Sequence, residues 1–269
     1  MIGIPTHARR VSVPHLHRLG ALAGIESWPA VLDLYPTTDH PGEPVRRAED
    51  DFGALDLWVD DAPTPWAETV LRVLAFPDRE IELRTITDEG MTRGYLARRG
   101  RDHIVAVRRP DGIDLRIVEI TDDAELGRVV SGLGGPSDTR HLATIEFTEF
   151  SVPAAEFVSG VEWCTSADDM ASALVAIGVG GMDAVRVAQA CTHTLARTEI
   201  VATSRGGCGM VQACGAIGVL DTDRGRILLV PSNSPDGSTW VTVTPGRHDR
   251  LGRAVRRLVE TLPGGRWFD

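Results

Sequence analysis

One order of apolar and polar positions occurs twice along the chain, at a fixed spacing. Residues 99–133 and 224–258 align without a gap at an offset of 125, with 13 identities in 35 positions. Unrelated segments would share about two or three at average residue frequencies of roughly 7%. Both copies open on Arg-Gly-Arg and carry Pro-Asp-Gly and Leu-Gly-Arg at matching places. Arg-Gly-Arg reads as a tight turn feeding a strand, Ile104–Val107 in one copy and Ile227–Val230 in the other. Pro-Asp-Gly reads as a hairpin turn, because Pro presets the first corner and Asp-Gly accepts the left-handed one. The returning strands are Ile113–Ile120 and Thr239–Thr244, where Val241 and Val243 face one way and Trp240, Thr242 and Thr244 the other. The period then changes from two to three-and-four. Leu251, Ala254, Val255, Leu258, Val259 and Leu262 form one helical stripe, matched by Leu126, Val129, Val130 and Leu133. The unit is strand, turn, strand, helix, and its duplication organises the fold.

The elements before each copy follow the same order. In the first half, Val11–Pro14 reads as a short strand or helix entry, Leu16–Ile25 as a helix and Trp28–Tyr35 as a strand. Thr37–Pro44 is a loop, and Val45–Val59 an amphipathic helix with Phe52, Leu55 and Trp58 on one face. Thr64 caps a further helix that has Pro65 in its first turn and stops at Phe76-Pro77. From Arg79 the period is two, and Gly90–Arg98 pairs back. Gly134–Arg140 is the joint between halves. The second half has helices over Val152–Phe157, Ala167–Ile177 (capped by Ser166) and Asp183–Leu195, then strands over Glu199–Ser204 and Val211–Leu220. The expected fold class is α+β: two pseudo-symmetric halves, 1–135 and 136–269, together one domain. Each half is helices, a four-stranded antiparallel sheet and a closing helix. Joined edge to edge, the two sheets form a central antiparallel sheet flanked by helical bundles.

Composition narrows the function. Net charge is −10, and since the chain has no lysine all 28 basic residues are arginine, which argues against a nucleic-acid footprint. No apolar run reaches the roughly 18–20 residues of a membrane span, Met1–Arg10 lacks a signal-peptide layout, and four cysteines without framework spacing read as reduced thiols. The expectation is a cytoplasmic protein. Ile177-Gly178-Val179-Gly180-Gly181 follows a helix, not a strand, so it reads as a helix–helix turn rather than a nucleotide loop. His15/His17 and Cys191/His193 are two apart, which on a helix points their side chains away from each other, so no metal site is expected. Asp122-Asp123 and Asp168-Asp169 fall in first helical turns, where carboxylates satisfy free N–H groups. No catalytic set and no cofactor site emerge. The most informative stretch is the glycine-rich hairpin Arg205–Val211 with its Met210 tip. The strand after it, Gln212–Gly218, is built of side chains small enough to leave a groove for a partner or for a neighbouring helix of the same chain.

Three segments in order carry a family resemblance. Val73–Arg84, with its helix end, Pro77-Asp78 and strand, resembles a signature of the EspG family, proteins associated with ESX (type VII) secretion in mycobacteria and related actinobacteria. Gly225–Ser232 resembles the family's C-terminal strand, and Thr261–Phe268 its closing Leu-Pro-x-Gly-x-Trp pattern. The resemblance implies a cytosolic chaperone and no enzyme. It would bind the PPE subunit of a PE–PPE heterodimer at its helical tip, keep the pair soluble and deliver it to the secretion machine. It places the contact on the C-terminal half, hence on Arg205, Met210, Gln212, Cys214 and Ala216 of the hairpin region and on Leu174, Met182 and Arg186 of the preceding helices. The free protein would be a monomer or a homodimer. The hairpin tip here is Gly and Met beside Arg205 and poor in charge, which leaves the choice of partner open. The rival reading is a small-molecule-binding protein or enzyme on a duplicated α+β scaffold, which requires a deep polar cavity with converging ionisable groups.

Overall fold

The computed structural model describes residues 8–34, 52, 55–133, 144–206 and 209–268. The chain divides into two compact units, residues 1–82 with 92–120, and residues 83–91 with 121–269. The architecture is α+β with a large antiparallel sheet and, among the described residues, seven α-helices.

Unit 1 begins with β1 (Ala8–Val11) and α1 (Val13–Leu22). Next come the two-residue strands β2 (Trp58–Val59) and β3 (Ala62–Pro63), then α2 (Pro65–Ala75). The Thr64 hydroxyl accepts from the Ala67 N–H at 3.4 Å and Pro65 fills the first turn, as the sequence predicts. Strands β4 (Arg79–Thr87), β5 (Gly90–Arg99), β6 (Asp102–Arg109) and β7 (Gly112–Val118) form the expected meander, and β1 adds to its far edge against β7. Leu16 and Leu19 of α1 and Val70, Leu71 and Leu74 of α2 pack with Tyr95, Ala97, Ile104, Ala106, Ile113 and Leu115 of the sheet. The Pro77-Asp78 motif has a structural task here. Asp78 donates its N–H to the Arg98 carbonyl at 2.8 Å, and its carboxylate accepts from the Gly100 N–H at 2.8 Å. That holds the Arg-Gly-Arg turn, where Gly100 has φ +59°.

Unit 2 contains Leu83–Thr87 of β4, whose neighbour is β9 (Thr194–Gly206). The buried hydroxyls of Thr85 and Thr198 meet at 2.9 Å across that pair. The order continues through β11 (Ile217–Thr222), β12 (Gly225–Asn233) and β13 (Thr239–Pro245) to β8 (Phe150–Pro153), with β10 (Gly209–Gln212) paired to β9. Its helices are α3 (Asp123–Leu133), α4 (Ala154–Val161), α5 (Ala167–Ala176), α6 (Gly181–Cys191) and α7 (His248–Glu260). The closing helices of the two repeat copies start 125 residues apart, at Asp123 and His248. Both lie in unit 2 and pack on each other, with Gly127 against Gly252. The shared Leu-Gly-Arg triplets are therefore where the two helices cross.

Several expected elements differ. Trp28–Tyr35 is not a strand: Val31 and Leu32 are both fully buried, which a half-buried strand forbids for neighbours, and Ala30–Leu32 is a 3-10 turn after Pro29; Tyr35 lies outside the described residues. The helix expected over Val45–Val59 does not reach its end, since Asp60 and Asp61, at φ +49° and +61°, turn Trp58–Val59 back onto Ala62–Pro63; residues 45–51 lie outside the described residues. Val152–Phe157 is divided: Val152 pairs with Val241 in β8, and the helix starts only after Pro153. Val211–Leu220 is two strands, because the backbone leaves the ladder at residues 213–216, where Cys214 donates its N–H to the Thr261 hydroxyl at 3.2 Å. The Thr37–Pro44 loop and the Gly134–Arg140 joint lie outside the described residues.

One buried histidine makes stability pH-dependent. His103 is 3% exposed on β6, opposite Arg98 of β5. Burial first, and the Arg98 charge second, push its pKa down from 6.5 to about 4. In the window from about 6.5 down to 4 the unfolded chain takes a proton that the folded chain refuses, so stability is full above the window and is lost as pH falls through it. Urea midpoints are expected to fall between pH 7 and pH 5, and the decline to shrink in His103→Gln. An unchanged decline in that variant would assign acid sensitivity to other groups.

Candidate functional site

In the hairpin of β9 and β10, all four residues of β10 are exposed. Register places Met210 directly opposite Arg205, and Gln212 two positions along opposite Thr203. Arg205, Met210 and Gln212 therefore share one face of the hairpin, with Val211 and Ser204 on the other. Met210 is 48% exposed, so a thioether stem stands in solvent beside a guanidinium. Gly207 and Cys208, at the tip, lie outside the described residues.

Beyond Gln212 the expected groove is largely filled by the chain itself. A Cβ on Gly215 would sit 3.0 Å from the Pro231 side chain, and one on Gly218 would sit 3.3 Å from Leu229. The small side chains of this stretch admit β12 of the same sheet, and Cys214 and Ala216 are half-buried within it. The helical residues separate as well. Leu174, on α5, is 1% exposed and packs with Val179, Ala184 and Val187, so it is a core residue that holds α5 to α6 and offers a partner no surface. Met182 stands at the start of α6, 69% exposed, because Gly178 at φ +94° turns the chain from α5 into α6 and leaves that end uncovered. Arg186 follows one turn later on the exposed side, 3.5 Å from Asp183. The Ile177–Gly181 stretch is the helix–helix turn the sequence predicts.

Exposed apolar side chains recur through this part of unit 2. Val158, Trp163, Val175 and Val185 join Met182, Met210 and Val211. Trp163, 81% exposed in the turn after α4, does not stand out by periodicity, since it lies in no helix or strand. The signal the sequence offers is the apolar segment Ala154–Val161 just before it, none of whose residues the structure buries.

Burial pushes the Cys191 thiol up to about 11, against the opposing charge of Arg197, so it stays protonated and inert near neutral pH. Asp169 is held below the usual carboxylate range by the Ser166 and Thr165 side chains, and with Asp168 it occupies the first turn of α5. His15 meets the Ser12 hydroxyl at 2.8 Å and His17 meets the Leu34 carbonyl, so each ring has a partner within unit 1. Among the described residues no group of three or more His, Cys, Asp or Glu is placed to hold a metal, and no helix is long and apolar enough to cross a membrane.

Comparison with known proteins gives a consistent answer. The model of the EspG family matches residues 12–257. The ESX-3 secretion-associated protein EspG3 of Mycolicibacterium smegmatis is 30% identical over 260 residues, covering 93% of this chain and 85% of the relative. The ESX-1 secretion-associated protein EspG1 of Mycobacterium tuberculosis is 31% identical over 231 residues, covering 84% and 75%. Among solved structures, the Mycobacterium tuberculosis type VII secretion system chaperone EspG5, in complex with a PE25-PPE41 dimer, superposes with a TM-score of 0.81 at 20% identity, over 97% of this chain and 99% of that one. With a family match over nearly its whole length and this fold, the chain belongs to the EspG family.

Proposed function

We propose that the protein is a cytosolic chaperone of a type VII secretion system: it binds the PPE subunit of a PE–PPE heterodimer, keeps the pair soluble and delivers it for export, with no chemistry of its own. The observation that carries this reading is the agreement in fold, over almost the full chain, with a chaperone solved together with a PE–PPE dimer. Exposed apolar side chains on α6 and on the β9–β10 hairpin supply a contact of the required kind, with Met210 and Met182 as adaptable apolar groups and Arg205, Arg186 and Gln212 as its polar rim. Methionine suits a surface that accommodates a helical tip, since its unbranched thioether repacks at little cost.

Co-expression with PE–PPE pairs, followed by size-exclusion chromatography and mass measurement, tests the reading. A complex with one copy of each chain is expected, and failure with every pair of the parent genome would remove it. Met210→Glu puts an unpaired charge into the apolar part of the contact, and at least about a tenfold loss of affinity is expected, roughly 1.4 kcal/mol or more. Calorimetry on the purified complex reads this directly. Unchanged affinity with an intact complex would move the contact away from the hairpin.

A further inference from the structure

The two halves of the chain differ at one place beside the candidate contact. Each returns from its first hairpin on Gly-Met, Gly90-Met91 in β5 and Gly209-Met210 in β10. The two glycines have φ +126° and +128°, and the two methionines are 46% and 48% exposed. Met210 then stands 15 residues before Gly225, where Met91 stands nine before Gly100, so six residues are added. Four of the six match β9, which has 13 residues to the nine of β4. The other two are a bulge. Between Gln212 opposite Thr203 and Ile217 opposite Ile200 the register moves by two, while β5 runs from Gly90 to Arg99 without a break.

An even shift preserves alternation, so Met210 and Gln212 stay on the face of Gly218 and Leu220. Leu220 packs against the cluster that holds Leu174, Ala184 and Val187, which puts the Met210 face of the hairpin and α6 on one side of the sheet. What the bulge changes is direction, since extra residues bend and twist the strand that carries them. Residues 213–216 are held by two neighbours. A Cβ on Gly215 would sit 3.0 Å from the Pro231 side chain of β12. From α7, the Thr261 hydroxyl accepts from the Cys214 N–H at 3.2 Å and donates to the Leu258 carbonyl at 2.7 Å. One hydroxyl thus links the bend of the hairpin to the last turn of a helix.

We propose that Thr261 is a positioning residue for the partner contact: through the Cys214 N–H it fixes the direction in which the hairpin presents Arg205, Met210 and Gln212. The inference rests on the reading of that hairpin as part of the PE–PPE contact. A hairpin held in one direction is ready to bind, whereas one that samples several binds with an affinity reduced by the fraction in the competent direction. Ala213 donates its N–H to the Ala202 carbonyl at 2.9 Å and the ladder resumes at Ile217, so Cys214 lies where the sheet has let go of the strand. Thr261 is exposed, so water can replace its hydroxyl at the Cys214 N–H. The fold then loses little, while the hairpin loses its restraint.

The test uses the full chain with the PE–PPE pair of the parent genome that copurifies with it. Thr261→Val keeps the branched shape and removes the hydroxyl, and Thr261→Ser keeps the hydroxyl. Calorimetry is expected to show about two- to tenfold weaker binding for Thr261→Val, the range of one net hydrogen bond, and wild-type binding for Thr261→Ser. Urea midpoints of the three proteins should agree closely. Hydrogen exchange at the Cys214 amide of the free protein should quicken at least about threefold in Thr261→Val and not in Thr261→Ser. In a Met210→Ala background the further loss from Thr261→Val should shrink, because a hairpin without its contact gains little from being aimed. Wild-type affinity in Thr261→Val, an equal loss in Thr261→Ser, unchanged exchange at Cys214 or full additivity with Met210→Ala would each overturn the inference and leave the chaperone reading in place. No complex between the wild type and any pair would overturn that reading and this inference together.

Discussion

Arg226→Met is expected to destabilise the protein by about 3–5 kcal/mol, a large part of an ordinary domain's stability. Arg226 of β12 faces Asp221 of β11 directly across the ladder, with two hydrogen bonds of 2.5 and 2.9 Å between guanidinium and carboxylate. Asp221 is 1% exposed and Arg226 10%. The arginine stem is held too, because Gly246 lies against it: a Cβ there would come within 2.1 Å of the Arg226 Cγ. Removing the guanidinium leaves a carboxylate that water cannot reach, and the cost is its desolvation rather than the pair's own attraction. The double variant Asp221→Leu/Arg226→Met removes both charges and is expected to recover most of the loss. Urea midpoints of the wild type, both single variants and the double variant form the cycle. Near-additive losses in the double variant would show that the pair is not the cause.

The same arginine shows what the sequence makes legible and what it does not. Arg226 belongs to the second Arg-Gly-Arg, and the alignment pairs it with Arg101 of the first. Both triplets do turn the chain into a strand, at Gly100 and Gly225, each with positive φ. Arg101, however, stands exposed in its turn, while Arg226 lies one residue inside its strand against Asp221. Period and turn chemistry fix local conformation, and long-range partners decide which of two identical residues becomes buried. Hairpin register shows the same limit. Pro-Asp-Gly makes a two-residue turn between Arg109 and Gly112, but its counterpart sits in a five-residue loop between Asn233 and Thr239. The partner strands are consequently offset by one residue between copies, with Val118 opposite His103 and Thr244 opposite Leu228. At the candidate site, the register of β9 and β10 puts Arg205, Met210 and Gln212 on one face, which the glycine-rich stretch of the sequence does not fix by itself. Leu174, which the family resemblance places at the contact, is core because α6 covers it, and a helix stripe alone does not say which neighbour covers it; Trp163 lies in a turn, which carries no period.

Gly127→Leu is expected to destabilise unit 2 by about 3 kcal/mol, the upper part of the range for overpacking a filled contact. Any Cβ on Gly127 would lie 2.7 Å from the Gly252 Cα, a distance that only separation of α3 from α7 relieves, and a leucine adds three more carbons in the same gap. The crossing is not symmetric, although the sequence makes its two glycines equivalent. A Cβ on Gly252 meets the Gly127 Cα at 3.6 Å, ordinary van der Waals contact. Gly252→Ala should therefore gain most of the 0.8–1.0 kcal/mol or so by which alanine exceeds glycine in a helix interior, while Gly127→Ala, which gains the same propensity, should lose about 1–2 kcal/mol net to the clash. Thermal or urea unfolding of the two alanine variants reads the contrast as shifts of opposite sign. Equal shifts would mean that α3 and α7 slide freely enough to absorb a methyl group from either side. Opposite signs would establish a rigid crossing in which the duplicated Leu-Gly-Arg triplets set the spacing of the helices.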